Sequence, residues 1–123
     1  MPISFDIEHL RRQYKCKHYF ETGMWDPVQT DISSWKAVES DFDTVHCIEL
    51  RKDFVDKAEI LFNHHIKDGK YFVYNDDSVN MYKYLNKHPF FNNEKTIASS
   101  IESILSQTYS NISILVLGLN GLG

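Results

Sequence analysis

Carboxylates recur at three points in the front half of this chain, each at the end of a run of branched or aromatic residues. The first is Glu21-Thr22-Gly23, where a glycine lets the backbone approach a bound group closely because it carries no Cβ. The second is Glu49, 26 residues after Gly23, and a carboxylate placed there can accept hydrogen bonds from both hydroxyls of a ribose. The third is Asp76-Asp77-Ser78, in which a carboxylate and a hydroxyl can meet the edge of an adenine. Other groupings lead nowhere. His64 and His65 are adjacent, so on a helix they diverge and share a metal poorly. Cys47 and His46 point to opposite faces of a strand and form no nucleophile pair. No serine lies in an elbow motif.

These residues need elements to hold them. Lys17 to Thr22 is an aromatic strand closed by Gly23. Asp31 or Ser33 can cap a helix that buries Ile32, Trp35 and Val38. Thr44 to Glu49 is a strand rich in branched residues, and Lys52 to His64 is a helix with Phe54, Ala58, Leu61 and Phe62 on one stripe. Asp68-Gly69 turns into a strand over Lys70 to Tyr74, followed by a short helix through Met81, Tyr82 and Leu85. Asn92 or Asn93 can open a helix to about Ser106, and Ile112 to Leu117 is a last strand, apolar except for Ser113. Strand and helix alternate, so the expected class is α/β: a three-layer, Rossmann-like, mainly parallel sheet of about four strands.

Composition narrows the function. A hydrophobic share of 42% is enough for a core at 123 residues, and the net charge of −4 argues against nucleic acid as a partner. Arg11-Arg12 with Lys15 and Lys17 reads as a solvated helix end. Cys16 and Cys47 lack metal spacing, which suits free thiols in a reducing compartment. The longest apolar stretch falls far short of the roughly 20 residues that span a bilayer, and no signal peptide is visible. A cytoplasmic protein without a membrane span is expected.

The progression Phe20-Glu21-Thr22-Gly23, His46-Cys47-Ile48-Glu49-Leu50, Asp77-Ser78 resembles class I S-adenosylmethionine-dependent methyltransferases over about residues 15 to 87. The resemblance implies S-adenosylmethionine as cofactor. Glu21 and Gly23 would line its methionine end, Glu49 would bind ribose, and Asp77 would sit near adenine. The chain departs from the family where Met24-Trp25-Asp26-Pro27 replaces further small residues and where Asp76 replaces a glycine.

After Pro89 a second likeness begins. Pro89-Phe90-Phe91-Asn92-Asn93-Glu94, then Ile101-Glu102-Ser103-Ile104-Leu105-Ser106-Gln107-Thr108-Tyr109-Ser110-Asn111, is similar to the opening of family 2 glycosyltransferases over about residues 88 to 117. By that resemblance Phe91 would lie against the uracil of a nucleotide sugar and Glu94 near the nucleotide site. Gly118-Leu119-Asn120-Gly121 stands where the family has acidic residues, and the metal-holding aspartates and catalytic base come later in the family than this sequence runs. No divalent metal is therefore expected.

The organisation that follows is a methyltransferase-like segment over 1–87 and a truncated glycosyltransferase-like segment over 88–123, packed into one sheet. The leading expectation is a truncated transferase-related protein of glycan modification, with a small-molecule nucleotide as ligand. The alternatives are an S-adenosylmethionine-binding methyltransferase relative and a non-catalytic remnant or interaction module. Glu49→Ala is expected to abolish S-adenosylmethionine binding while changing stability little.

Overall fold

A computed structural model describes residues 6–85 and 114–117. Helix α1 (Ile7–Tyr14) opens the described chain, followed by strand β1 (His18–Thr22). Helix α2 (Ser33–Glu39) leads to β2 (Thr44–Glu49), and helices α3 (Lys52–Leu61) and α4 (Asn63–Lys67) lead to β3 (Tyr71–Asn75). A 3-10 turn, Ser78–Asn80, runs into α5 (Met81–Leu85), and β4 (Ile114–Leu117) is the last described element.

The protein is α/β with a parallel sheet. β2 lies between β1 and β3, and Phe20, His46 and Phe72 fall in one register row. Ile114–Leu117 pairs parallel with the other side of β1, so the order across the sheet is β3-β2-β1-β4. β1 is buried throughout and β2 nearly so, as a parallel sheet requires when both faces are covered.

Alternation along each strand separates two sets of side chains. One set carries Tyr19, Glu21, Cys47 and Tyr71, with Phe62 packed on Tyr71 at 4.6 Å between ring centroids and Trp35 on Phe62 at 4.5 Å. The other set stacks rings across the strands: His46 lies parallel to Phe72 at 4.6 Å and to Phe20 at 6.0 Å. His46 is a satisfied core histidine, with Nδ1 bonded to the Tyr74 hydroxyl at 3.0 Å and Nε2 to the Thr44 hydroxyl at 3.0 Å.

Three local expectations are corrected. α2 has Ile32 at its N-cap and no side-chain cap, because the Ser33 hydroxyl is drawn inward to Glu21 and Asp31 stays exposed. The long helix expected to His64 breaks at Phe62, whose non-helical ψ of 17° turns the chain into α4 and drives its ring into the core. Leu61, placed on the buried stripe, is exposed as a result. The Arg11-Arg12 cluster does lie at a helix end, in the last turn of α1. Asp6 caps α1 by accepting from the His9 N–H at 3.2 Å, and the helix buries Ile7 and Leu10. The helix expected between Glu94 and Ser106 lies outside the described residues.

Candidate functional site

The carboxyl ends of β1, β2 and β3 carry Glu21, Glu49 and Asp76, so neighbouring parallel strands bring the three acids of the sequence to one end of the sheet. Each is held differently. Glu21 is fully buried: Oε1 accepts from the Tyr19 hydroxyl at 3.2 Å and the Cys47 thiol at 3.6 Å, and Oε2 accepts from the Ser33 hydroxyl at 2.5 Å. Burial pushes its pKa up to about 7, opposed by the hydrogen bonds from Ser33, Tyr19 and Cys47. Burial also raises the Tyr19 phenol and the Cys47 thiol, so both remain protonated donors at neutral pH. The Cys47 thiol is structural rather than reactive.

Glu49 closes β2 and binds two loops at once. Its Oε1 accepts from the Trp25 N–H at 2.8 Å and its Oε2 from the Arg51 N–H at 2.9 Å. Gly23 at the end of β1 has φ of 72°, and its N–H donates to the Ile48 carbonyl at 2.9 Å. The loop after β1 is therefore clamped to the end of β2 through backbone groups. It is fastened further by the Trp35 indole N–H on the Pro27 carbonyl at 2.7 Å and by Lys57 near Asp26 at 3.7 Å.

This geometry revises the expected effect of Glu49→Ala. The substitution leaves two loop N–H groups without their acceptor, so it should cost about 1–3 kcal/mol of stability. Chemical denaturation of the variant checks this, and an unchanged midpoint would mean that water replaces the carboxylate freely.

Beyond β3 the acid that organises the structure is Asp76. It accepts from the Asp77 N–H at 2.7 Å, the Asn80 amide at 2.8 Å and the Tyr84 hydroxyl at 2.5 Å, and it pairs with Lys83 at 3.1 Å. The Tyr84 hydrogen bond, followed by the others, holds its carboxyl well below the usual carboxylate range. Asp77 is exposed and caps the Ser78–Asn80 turn by accepting from the Val79 N–H at 3.1 Å. The methyltransferase likeness assigns the adenine side to Asp77, whereas it is Asp76 that gathers the donors of Asn80, Lys83 and Tyr84, which follow at the spacing of a turn and a helix that fold back on it.

Arg51 and Phe54, to which the sequence assigns no part in the site, join Trp25 there. The Trp25 ring is tilted on Phe54 at 6.0 Å, and the Arg51 guanidinium lies 4.0 Å over the same Phe54 ring. Phe91 and Glu94, the residues of the glycosyltransferase likeness, lie outside the described residues.

A cleft of about 460 Å³ lies elsewhere, between α1 and the end of α2, lined by Asp6, Glu8, Arg12, Lys36, Glu39, Ser40 and Asp41. Its Glu8 is paired with Arg11 and Arg12, and the hydrogen bond from Arg11 pulls its pKa down to about 2. The charges there serve α1 rather than a ligand at the strand ends. Among the described residues no group of three metal-ligating side chains converges, and no helix is long and apolar enough to cross a membrane. No protein-family model matches this chain, and neither a curated protein nor a solved structure matches it.

Proposed function

We propose that this chain is a Rossmann-like, three-layer domain that binds an adenosyl cofactor of the S-adenosylmethionine type at the carboxyl end of its sheet. The observation that carries this reading is Glu49. It ends β2, beside the positive-φ Gly23 loop of β1, and each oxygen accepts one backbone N–H. A carboxylate has about four acceptor positions, so two are left for the hydroxyls of a ribose. The strand order supports the same place. β1 has β2 on one side and β4 on the other, and ligands of open parallel sheets bind where the order reverses, beyond the strand ends.

Glu21 and Gly23 act differently from each other in this reading. Gly23 supplies the close backbone approach. Glu21 forms part of the wall, tying α2 to β1 through Ser33. Asp77 acts through the turn it caps. The parallel pairing of Ile114–Leu117 with β1 supports a structural part for the glycosyltransferase-like segment, which supplies the strand beside the switch point. Methyl transfer and glycosyl transfer both need groups beyond those named, so the activity proposed is ligand binding.

Isothermal titration with S-adenosylhomocysteine tests the reading. The wild-type chain should bind, and Glu49→Gln, which removes the charge that strengthens hydrogen bonds from the ribose, should bind about ten- to hundredfold more weakly. Equal affinities in the two proteins would remove Glu49 from the site.

A further inference from the structure

Two non-glycine residues among those described have positive φ, Lys15 at 55° and Trp25 at 76°. Lys15 closes α1 in the left-handed conformation that commonly ends helices. Trp25 ends no helix. A bulky residue in that region is strained, and such strain persists where surrounding contacts enforce it, often at ligand clamps. Here the enforcing contact is the Trp25 N–H on Glu49 Oε1 at 2.8 Å.

The conformation has a consequence for the side chain. Trp25 remains 48% exposed although indole is among the largest apolar groups, and its ring leans on Phe54. Val28, Leu50 and Val79, in the loops after β1, β2 and β3, are also exposed apolar residues. The carboxyl end of the sheet thus presents an apolar rim, with an aromatic ring whose own backbone is bonded to the acid proposed for ribose.

We infer that Trp25 is the stacking platform for the base of a nucleoside ligand whose ribose hydroxyls bond to Glu49. The inference rests on the reading of Glu49 given above and adds to it a second contact and a ligand class. A flat indole covers a flat base without demanding hydrogen bonds, while a neighbouring carboxylate takes the diol, so the two together recognise a nucleoside rather than a free sugar or a free base. Trp25 replaces the small residues of the methyltransferase-like loop, so the contact belongs to this chain. It also places the base on the β1 loop rather than beside Asp77.

The test uses the full chain and two nucleoside probes, S-adenosylhomocysteine and uridine diphosphate, titrated into wild type, Trp25→Ala, Trp25→Phe and Trp25→Gly. Trp25→Ala should weaken binding by about ten- to hundredfold, the size of one base–aromatic stack. Trp25→Phe should restore most of the affinity. The wild-type indole fluorescence should change on binding and the Trp25→Phe signal, from Trp35, should not. Trp25→Gly should bind as weakly as Trp25→Ala while keeping or raising the unfolding midpoint, because glycine accepts φ of 76° without strain. The probe that binds wild type identifies the base. Binding by wild type with unchanged affinity in Trp25→Ala overturns this inference and leaves the Glu49 reading standing. Binding of neither probe overturns both.

Discussion

Phe62→Ala should destabilise the domain by about 3–5 kcal/mol, the usual cost of removing a buried ring whose space the core cannot refill. Phe62 is fully buried at the break between α3 and α4, with Trp35 at 4.5 Å on one side and Tyr71 at 4.6 Å on the other. Trp35 in turn holds Pro27 in the loop after β1, so a cavity at Phe62 loosens the support of that loop as well as the sheet. For a domain of this size the thermal midpoint should fall by about 10 °C or more. Phe62→Leu, which keeps most of the apolar volume, should recover a large part of the loss. A cost below about 1 kcal/mol for Phe62→Ala would mean that the ring is not packed between α3, α2 and β3 as described.

Glu21→Gln should make the protein more stable above neutral pH, by about 3 kcal/mol at pH 8. The carboxyl is buried among the Tyr19 hydroxyl, the Ser33 hydroxyl and the Cys47 thiol, with the Tyr71 phenol against Cys47 on the next strand. Its pKa is about 7 in the folded chain against 4.5 as the ordinary value. A raised carboxyl pKa means that the folded state binds the proton more tightly than the unfolded state. The stability contributed by the protonated group is therefore full below pH 4.5, falls as pH rises through 7, and is absent above that. A shift of about 2.5 units corresponds to about 3 kcal/mol. Glutamine keeps the shape and an acceptor oxygen but never ionises. The Ser33 hydroxyl can turn to accept from the new amide. The difference between variant and wild type isolates this group from Glu8 and Asp76, whose lowered pKa values act with the opposite sign at acid pH. Parallel stability–pH curves for the two proteins between pH 4.5 and 8 would contradict the assignment.

The main elements were legible because their patterns are strong. Thr44 to Glu49 is a run of branched and apolar residues, and the strand has those same ends. The order of acids at strand ends was legible for the same reason, since Glu49 closes β2 and Glu21 is the last residue but one of β1. What the sequence could not display was partnership across the fold. Ser33 has the type of a helix cap, yet a buried carboxylate 12 residues away in sequence outcompetes the backbone for its hydroxyl. Glu49 looked free to meet a ligand, and two loop N–H groups already occupy it. Asp77 matched the expected motif, whereas Asp76 holds the turn because Asn80, Lys83 and Tyr84 return to it. In sequence Trp25 is only a departure from a loop that favours small residues. Its strained backbone and exposed ring emerge only when Glu49 is seen to hold it.

The central claim is that the carboxyl end of this sheet is an adenosyl site. Thermal unfolding with S-adenosylhomocysteine in one arm and uridine diphosphate with manganese in the other tests it most directly. A ligand at 100 times its dissociation constant stabilises a folded protein by about 2.7 kcal/mol, which moves a small domain's midpoint by several degrees. The account predicts that shift with S-adenosylhomocysteine, and its loss in Glu49→Gln. A midpoint unmoved by the adenosyl ligand, or moved by uridine diphosphate alone, would contradict it.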